Sequence, residues 1–360
     1  MKTILLIATI TVIIISQLYQ PTYGAEEKPM HQKRNVILGL RKVDWSDVER
    51  QNEYINCVIS AMEHLGKKYS YDELACISGC AFRGCSPKQG VNPSTYHVIN
   101  DIAVIAHTFR MLGYNFTLHN RSDYETDKKL ILDSIDKGIP VLTFHGVAPW
   151  AECSIISGYD DDGAVLLGYS AFCDYNGPRD SGYFRFSNWH DGWFKEGNGK
   201  ILIIGAPTKT PGKEEIIKQS LQMAVKLIRG TASKNKNWLT GYAGHTRYAE
   251  LVCQDYDGNA EFMELMIACA DCNIYQEKLY VAPFLRKAKE VLKDKADVLE
   301  QCAKIYDQIS DHRREMKKLV HDDMSMGERI LDKELRKQYA PHAIKIRDLE
   351  KSAADLFEKI

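Results

Sequence analysis

The sequence predicts an α+β fold that is followed by an all-helical region. Apolar residues recur at helical spacing through residues 57–136, and short β-type runs separated by turn residues follow through residues 137–204. Helical spacing returns from residue 214 to the end. A helical segment followed by antiparallel strands is typical of an α+β domain. The chain has 360 residues, which is long for one core, so two domains are expected.

The composition gives no reason to expect a polyanionic partner. Hydrophobic residues make up 44% and charged residues 26%, which are ordinary values for a globular protein. The formal net charge is −1, and no large excess of Lys and Arg is present to attract phosphate groups. We therefore expect neither nucleic acid nor an anionic membrane surface as a partner.

The first 24 residues have the three parts of a secretory signal peptide. Lys2 supplies the short basic region, residues 4–15 are apolar, and small residues precede Ala25. An uncleaved anchor is the alternative, but this apolar run is shorter than the roughly 20 residues that span a bilayer. We expect an exported protein, either secreted, periplasmic or at the cell surface, without an integral membrane segment after signal removal.

The ten cysteines bear on function because export permits disulfides. If all ten pair, Cys57 is not available as a nucleophile. If Cys57 is free, nine remain and at least one more is unpaired. The sequence leaves both possibilities open.

The first half of the chain is predicted to contain mainly helices. Cys57 is expected in the first turn of a buried helix that reaches about residue 67, with Gly66 as a stop signal. Glycine at 113 closes a later helix. The other predicted elements are a short lead-in strand at 36–40, helices at 71–77, 99–112 and 128–136, a loop at 79–92, and a strand at 115–119.

The predicted sheet and the helical region follow. Strands are expected at 140–144, 152–159, 164–169 and 200–204, with a hairpin turn at Asp160-Asp161-Asp162-Gly163 because this turn needs positive φ. Residues 207–213 are predicted to link a domain at 25–207 to a helical domain at 213–360. The predicted later helices are 214–229, 260–272, 281–309, 313–320, 326–339 and one opened by Pro341 that runs to 360. Their amphipathic stripes need only a mutual core, so a structural role is expected.

Three short motifs in order resemble the papain-like cysteine-peptidase superfamily. Gln51 precedes Cys57 by six residues, residues 137–141 read KGIPV, and residues 158–160 read GYD. This pattern is similar to the bacteriocin-processing (double-glycine) peptidases and to the N-terminal domain of the butirosin-biosynthesis acyltransferase family. Residues 241–248 faintly resemble the helical partner domain of the acyltransferase-like group. The resemblance implies a papain-like fold over residues 51–204.

The resemblance also implies a catalytic site. Cys57 matches the nucleophile and Gln51 matches the glutamine that helps to bind an oxyanion. The family histidine falls at Glu152 in this chain, and residues 165–169, where the orienting acid is expected, contain no carboxylate. Glu152 can act as a general base if burial raises its pKa, but it does not form the thiolate–imidazolium pair of the family.

His145 is the nearest substitute for the missing histidine. It lies in the loop between two predicted strands, and Glu152 could orient it, which would rebuild a triad of Cys57, His145 and Glu152. The alternative is a loop histidine with a structural hydrogen bond. His97 and His107 are expected to have packing roles. Cys57 itself is either a nucleophile or a small apolar residue in a helix.

Other candidate sites have weaker patterns. Cys76, Cys80 and Cys85 lack the paired ligand spacing of zinc sites, and the CxxC at 269–272 lacks the strand context of a redox motif, so no metal or cofactor is expected. The aromatic and polar cluster at 184–194 is predicted to lie between strands, where it either binds ligand or plugs the end of the sheet. His190 in this cluster is a further candidate base, and Trp150 could line the same cleft.

Two functions remain open from the sequence. The first is a cysteine-dependent hydrolase or acyl or aminoacyl transferase that works through a thioester on Cys57. The second is a degenerate, non-catalytic papain-like protein that binds a peptide or small acyl ligand in the cleft. The missing family histidine favours binding, whereas Gln51 and Cys57 favour catalysis.

Overall fold

A computed structural model describes residues 34–43, 47, 49–149, 151–172, 179–233, 235–254, 260–321 and 332–360. The predicted signal peptide at 1–24, Trp150 and Cys173 lie outside these residues. None of the helices within the described ranges has the length and apolar character needed to cross a membrane.

The strands and helices combine into an α+β structure with a C-terminal helical region. The strands are β1 (Asn35–Val36), β2 (Cys85–Pro87), β3 (Tyr114–Asn120), β4 (Val141–Phe144), β5 (Cys153–Asp160), β6 (Val165–Ser170), β7 (Arg179–Asp180), β8 (Tyr183–Ser187), β9 (Lys200–Pro207) and β10 (Trp238–Thr240). The helices are α1 (Glu53–His64), α2 (Tyr71–Ser78), α3 (Ile102–Leu112), α4 (Tyr124–Ile135), α5 (Trp193–Glu196), α6 (Lys213–Ile228), α7 (Tyr242–Cys253), α8 (Ala260–Ala270), α9 (Val281–Val291), α10 (Ala296–His321) and α11 (Lys333–Phe357). The α+β class predicted from the sequence is confirmed.

The main sheet has eight strands, and their order is β3-β9-β4-β5-β6-β8-β7, with β1 beside β5 past the end of β4. Every pair in this sheet is antiparallel. The predicted hairpin between β5 and β6 is confirmed, since Asp161, Asp162 and Gly163 all have positive φ. Strand β5 lies at the centre of the sheet, and α1 packs against it.

The helical region packs directly on the α+β region. The ring of Phe82 lies 5.9 Å from that of Tyr306 and 5.8 Å from that of Phe357. Strands β2 and β10 pair to form a second, two-stranded sheet that joins the two regions. The predicted linker at 207–213 falls between β9 and α6, and the division into two domains stays a prediction.

Four sequence predictions about elements are wrong. Helix α1 begins at Glu53 because the side chain of Asn52 caps its N-terminus, so Cys57 is in the second turn. The predicted loop at 79–92 contains β2, and the cluster at 184–194 contains most of β8 and the start of α5. The predicted helix at 281–309 divides at Leu292, which leaves helical geometry.

Two further predicted helices also differ from the structure. Pro341 does not open a helix but lies inside α11, whose N-terminus is capped by the side chain of Asp332. The predicted helix at 313–320 is part of α10. Proline removes one helical hydrogen bond, and packing of the long helix on its neighbours offsets this loss.

Candidate functional site

Cys57 is buried between α1 and β5. It is the fifth residue of α1 and its side chain is 0% exposed. Its thiol contacts the thiol of Cys153, the first residue of β5. One turn earlier on the same face of α1, the Oε2 atom of Glu53 accepts a hydrogen bond of 2.9 Å from the backbone N–H of Cys153. These contacts fix the helix against the first residue of the strand.

The two groups beside Cys57, the thiol of Cys153 and the carboxyl of Glu53, both have raised pKa values. The effect of the helix dipole falls off within the first turn, and Cys57 is beyond it. Burial, followed by contact with the Cys57 thiol, raises the pKa of Cys153 well above its ordinary value. Burial likewise raises the pKa of Glu53, so this carboxyl favours its protonated form.

Gln51 contacts the helical region. The Sγ atom of Cys272 lies 3.4 Å from Oε1 of Gln51 and donates to it. The adjacent Asn52 donates from Nδ2 to Oδ1 of Asn273 at 3.1 Å. The residue predicted to help bind an oxyanion therefore helps to hold the start of α1 on the helical region.

Glu152 is a buried carboxyl that binds backbone amides. Its side chain accepts hydrogen bonds from the N–H groups of Val98 and Ile99. Burial raises its pKa to about 7, although Arg83 and these two amides oppose the shift. According to the sequence, Glu152 can act as a general base only if burial raises its pKa. The structure meets that condition.

Arg83 supports the same backbone segment from another side. It is 1% exposed and donates to the carbonyl oxygens of Tyr96 and His97, each at 3.0 Å. Its Nε atom lies 3.7 Å from Oδ2 of Asp101. The segment around His97 is thus fixed through its carbonyl groups by Arg83 and through the next amides by Glu152.

His145 has an unusual backbone conformation, with a φ of 45°. Its N–H donates to the backbone oxygen of Glu152 at 2.9 Å, and its ring centroid lies 5.9 Å from that of His97 and 6.4 Å from that of Trp193. Burial and then nearby Lys200 lower the pKa of His145 to about 4. The ring is therefore neutral near pH 7.

Both imidazoles of this pair have a buried nitrogen atom without a hydrogen-bond partner in the described part of the chain. Burial lowers the pKa of His97 to about 3, and His145, when it is protonated, and Arg83 shift it in the same direction. The Nδ1 atoms of His97 and His145 are buried and have no hydrogen-bond partner within the described part of the chain. Strained backbone and unpartnered polar atoms commonly occur at functional sites.

The structure does not join the three side chains of the rebuilt triad. The thiol of Cys57 contacts Cys153, the imidazole of His145 faces two other rings, and the carboxyl of Glu152 accepts from backbone amides. Among the residues that the structure describes, no hydrogen bond links any two of these three side chains. His145 and Glu152 meet only through their backbones.

The remaining histidine candidates have polar partners. His107 lies 2.9 Å from the guanidinium of Arg110. His190 lies 3.1 Å from Oδ2 of Asp127 and 3.2 Å from Arg121. In the same cluster, buried Trp189 donates to the carbonyl oxygen of Gly163 at 3.1 Å. These contacts favour packing at the end of the sheet over ligand binding.

No disulfide or metal cluster is found in the described residues. Each of the nine cysteines in that set is a free thiol. No group of three or more potential ligands from His, Cys, Asp and Glu is close enough there to hold a metal ion.

Sequence reasoning missed three members of this site. Glu53 lies four residues before Cys57, a spacing that places both on one helix face, and Cys153 directly follows Glu152. The sequence therefore contained signals that could have placed Glu53 and Cys153 near the predicted site. Arg83 had no such signal, because its role depends on backbone carbonyls that the fold brings close to it.

Comparison with known proteins gives no family for this chain. Neither a protein-family model nor a curated protein sequence matches it. The papain-like resemblance therefore stays a prediction that is carried by the motifs in the sequence.

Proposed function

We propose that this chain is an exported, papain-like protein that binds a peptide or a small acyl ligand without using Cys57 as a nucleophile. The observation that carries the proposal is the environment of Cys57, which is fully buried and contacts a second thiol instead of an imidazole. Cysteine nucleophiles need a thiolate, a base within reach and access for substrate.

The pair of imidazoles supports a binding role. His145 and Trp193 are half-buried, so a ligand can contact them, and His97 lies behind them. A neutral imidazole nitrogen can donate a hydrogen bond to a carbonyl group or accept one from an amide. The rings provide apolar surface for an acyl chain or a side chain. Peptides and acyl compounds have both a carbonyl group that can accept a hydrogen bond and an apolar chain that can pack on the rings.

A second function is favoured by one observation. The pKa of Glu152 lies at about 7, where a carboxyl can exchange a proton at neutral pH. The neighbouring His145 offers an unpartnered nitrogen. A cysteine-dependent hydrolase or acyl transferase that moves Cys57 into contact with these groups is the alternative proposal.

Binding and catalysis can be separated with a single set of probes. Acyl thioesters of N-acetylcysteamine and a peptide library are titrated against the wild type, Cys57→Ser and His145→Ala. His119→Ala is a matched control, because His119 is a half-buried histidine on the edge strand β3. We expect unchanged affinity for Cys57→Ser and His119→Ala, and about tenfold weaker binding for His145→Ala, which is about 1.4 kcal/mol.

Mass spectrometry of the same mixtures decides between the two functions. A binding protein forms no acyl adduct on Cys57 and does not consume the thioester. An adduct on Cys57, together with turnover that is lost in Cys57→Ser, would support the alternative. Failure of both probe classes to bind would contradict the binding function.

A further inference from the structure

The contact between α1 and β5 brings together two cysteines that are distant in the sequence. Cys57 and Cys153 are each 0% exposed, and their thiols contact each other. The chain between them is roughly 100 residues long, so a bond between them would close a large loop. This pair lies at the centre of the main sheet.

The position of the two thiols is fixed by contacts on either side. Glu53 holds the N–H of Cys153 at 2.9 Å from the same face of α1 that carries Cys57. The ring of Tyr54, the residue after Glu53, lies 5.8 Å from that of Phe144, which pairs with Cys153 across β4 and β5. The helix and the strand are therefore held in one register, with the thiols facing each other.

We propose that Cys57 and Cys153 form a reversible disulfide by exchange with a small-molecule disulfide such as oxidised glutathione. The bond would attach the centre of α1 to the start of β5. This inference goes beyond the proposed binding function and does not depend on it, since it concerns only the two thiols.

The exchange balances in two steps. One cysteine thiolate attacks a sulfur of oxidised glutathione, which forms a mixed disulfide and releases one glutathione thiolate that takes up a proton. The second cysteine thiolate then attacks the protein sulfur of the mixed disulfide and displaces the second glutathione. The protein loses two protons and two electrons, and oxidised glutathione is reduced to two glutathione molecules.

Burial makes the reaction depend on opening of the fold. A buried thiol with a raised pKa reacts slowly, so exchange proceeds during folding or when α1 separates locally from β5. The exported location predicted for the chain would supply oxidising conditions. The test therefore lets the chain fold in the presence of the oxidant.

The experiment uses the full chain, which is reduced, unfolded and refolded in buffers with different ratios of reduced to oxidised glutathione. Acid stops the exchange, remaining thiols are alkylated in denaturant, and peptides are mapped. In the oxidising buffer we expect a peptide pair joined through Cys57 and Cys153, with two fewer alkyl groups on the chain. Dithiothreitol should restore both thiols.

Two variants control for unrelated oxidation and folding. Cys302→Ser removes another fully buried cysteine and should leave the bond unchanged, whereas Cys153→Ser should leave Cys57 as a thiol. Oxidation should raise the thermal midpoint of the wild type and of Cys302→Ser but not that of Cys153→Ser. Circular dichroism of the refolded wild type verifies that the measurement concerns the native fold.

The proposal is overturned if the natively refolded wild type keeps both cysteines as thiols in the oxidising buffer. It is also overturned if either residue is joined only to a different cysteine or only to glutathione. Each of these results would mean that the contact between the two sulfurs is a packing contact.

Discussion

The helical region and the candidate site each bury a carboxyl group, but the two groups have different partners. In the helical region, Lys278 is 0% exposed and Glu350 is 1% exposed, and Nζ of the lysine lies 2.5 Å from Oε1 of the glutamate. The lysine also donates to the carbonyl oxygen of Arg83 at 3.0 Å. In the candidate site, buried Glu152 has backbone amides as its hydrogen-bond donors instead of a cation.

His245 of the helical region and His145 of the candidate site differ in the same way. Nδ1 of His245 is 3.2 Å from the hydroxyl of Tyr275, and Nε2 is 2.9 Å from Oε2 of Glu350. His145 has a buried Nδ1 without a partner within the described ranges. Both ring nitrogens of His245 therefore lie near polar groups of the same region, whereas Nδ1 of His145 has none in the described ranges.

This difference also appears in the two carboxyls. Burial alone would raise the pKa of Glu350, but Lys278 and His245 outweigh it and lower that pKa. At Glu152, burial outweighs Arg83 and raises the pKa to about 7. The first carboxylate is a structural ion, while the second can exchange a proton near neutral pH.

The largest effect is expected from breaking the buried ion pair. Glu350→Ala leaves Lys278 buried without its carboxylate, so the free energy of unfolding should fall by about 3–5 kcal/mol in urea titrations. The double variant Lys278→Met with Glu350→Leu removes both charges and should lose much less. A loss under about 1 kcal/mol for Glu350→Ala would contradict a structural role for the pair.

A smaller effect that depends on pH is expected at Glu152. Its pKa is about 7 in the folded chain, compared with an ordinary value of 4.5. The free energy of unfolding of the wild type should therefore decrease as the pH rises from 4.5 to 7, because the buried carboxyl is harder to ionise than the same group in the unfolded chain. Glu152→Gln removes this cost and should therefore gain about 3 kcal/mol relative to the wild type between pH 4 and pH 8. Unfolding titrations across this range measure it.

The control for that series is Glu63→Gln, which removes one negative charge from an exposed position on α1. Its stability relative to the wild type should change little over the same range. A difference between Glu152→Gln and the wild type that stays constant with pH would contradict the raised pKa of Glu152.

The smallest expected difference in stability is between alanine substitutions of His245 and His145. His245→Ala loses a buried ring and its contacts with Tyr275 and Glu350, which should cost about 2–3 kcal/mol. His145→Ala removes a half-buried ring with an unpartnered nitrogen, so its cost should be about 1 kcal/mol or less. Equal losses in thermal or urea unfolding would remove the distinction between the regions.

Local sequence signals predicted much of the fold. The Asp-Gly step gave the β5–β6 hairpin, because positive φ is needed at that turn. Gly113 was correctly placed at the end of α3, where its φ is 75°. The start of α1 was missed because Asn52 was read as part of a motif instead of as a cap.

The candidate site was harder to predict because it depends on long-range contacts. The contact of Cys57 with Cys153 requires the register of a helix on a strand, which periodicity does not supply. The position of His145 depends on its positive φ and on Gly197, where a Cβ atom would lie 2.6 Å from the Cβ of His145. Neither condition is readable from the residues alone.

The most direct test of the account is the reactivity of Cys57 in the folded chain. The reduced protein is treated with iodoacetamide near neutral pH, and the modified sites are mapped over time. We predict that Cys57 reacts as slowly as fully buried Cys302 and more slowly than half-buried Cys253. Selective modification of Cys57 before all other cysteines would contradict the account and would identify it as an activated nucleophile.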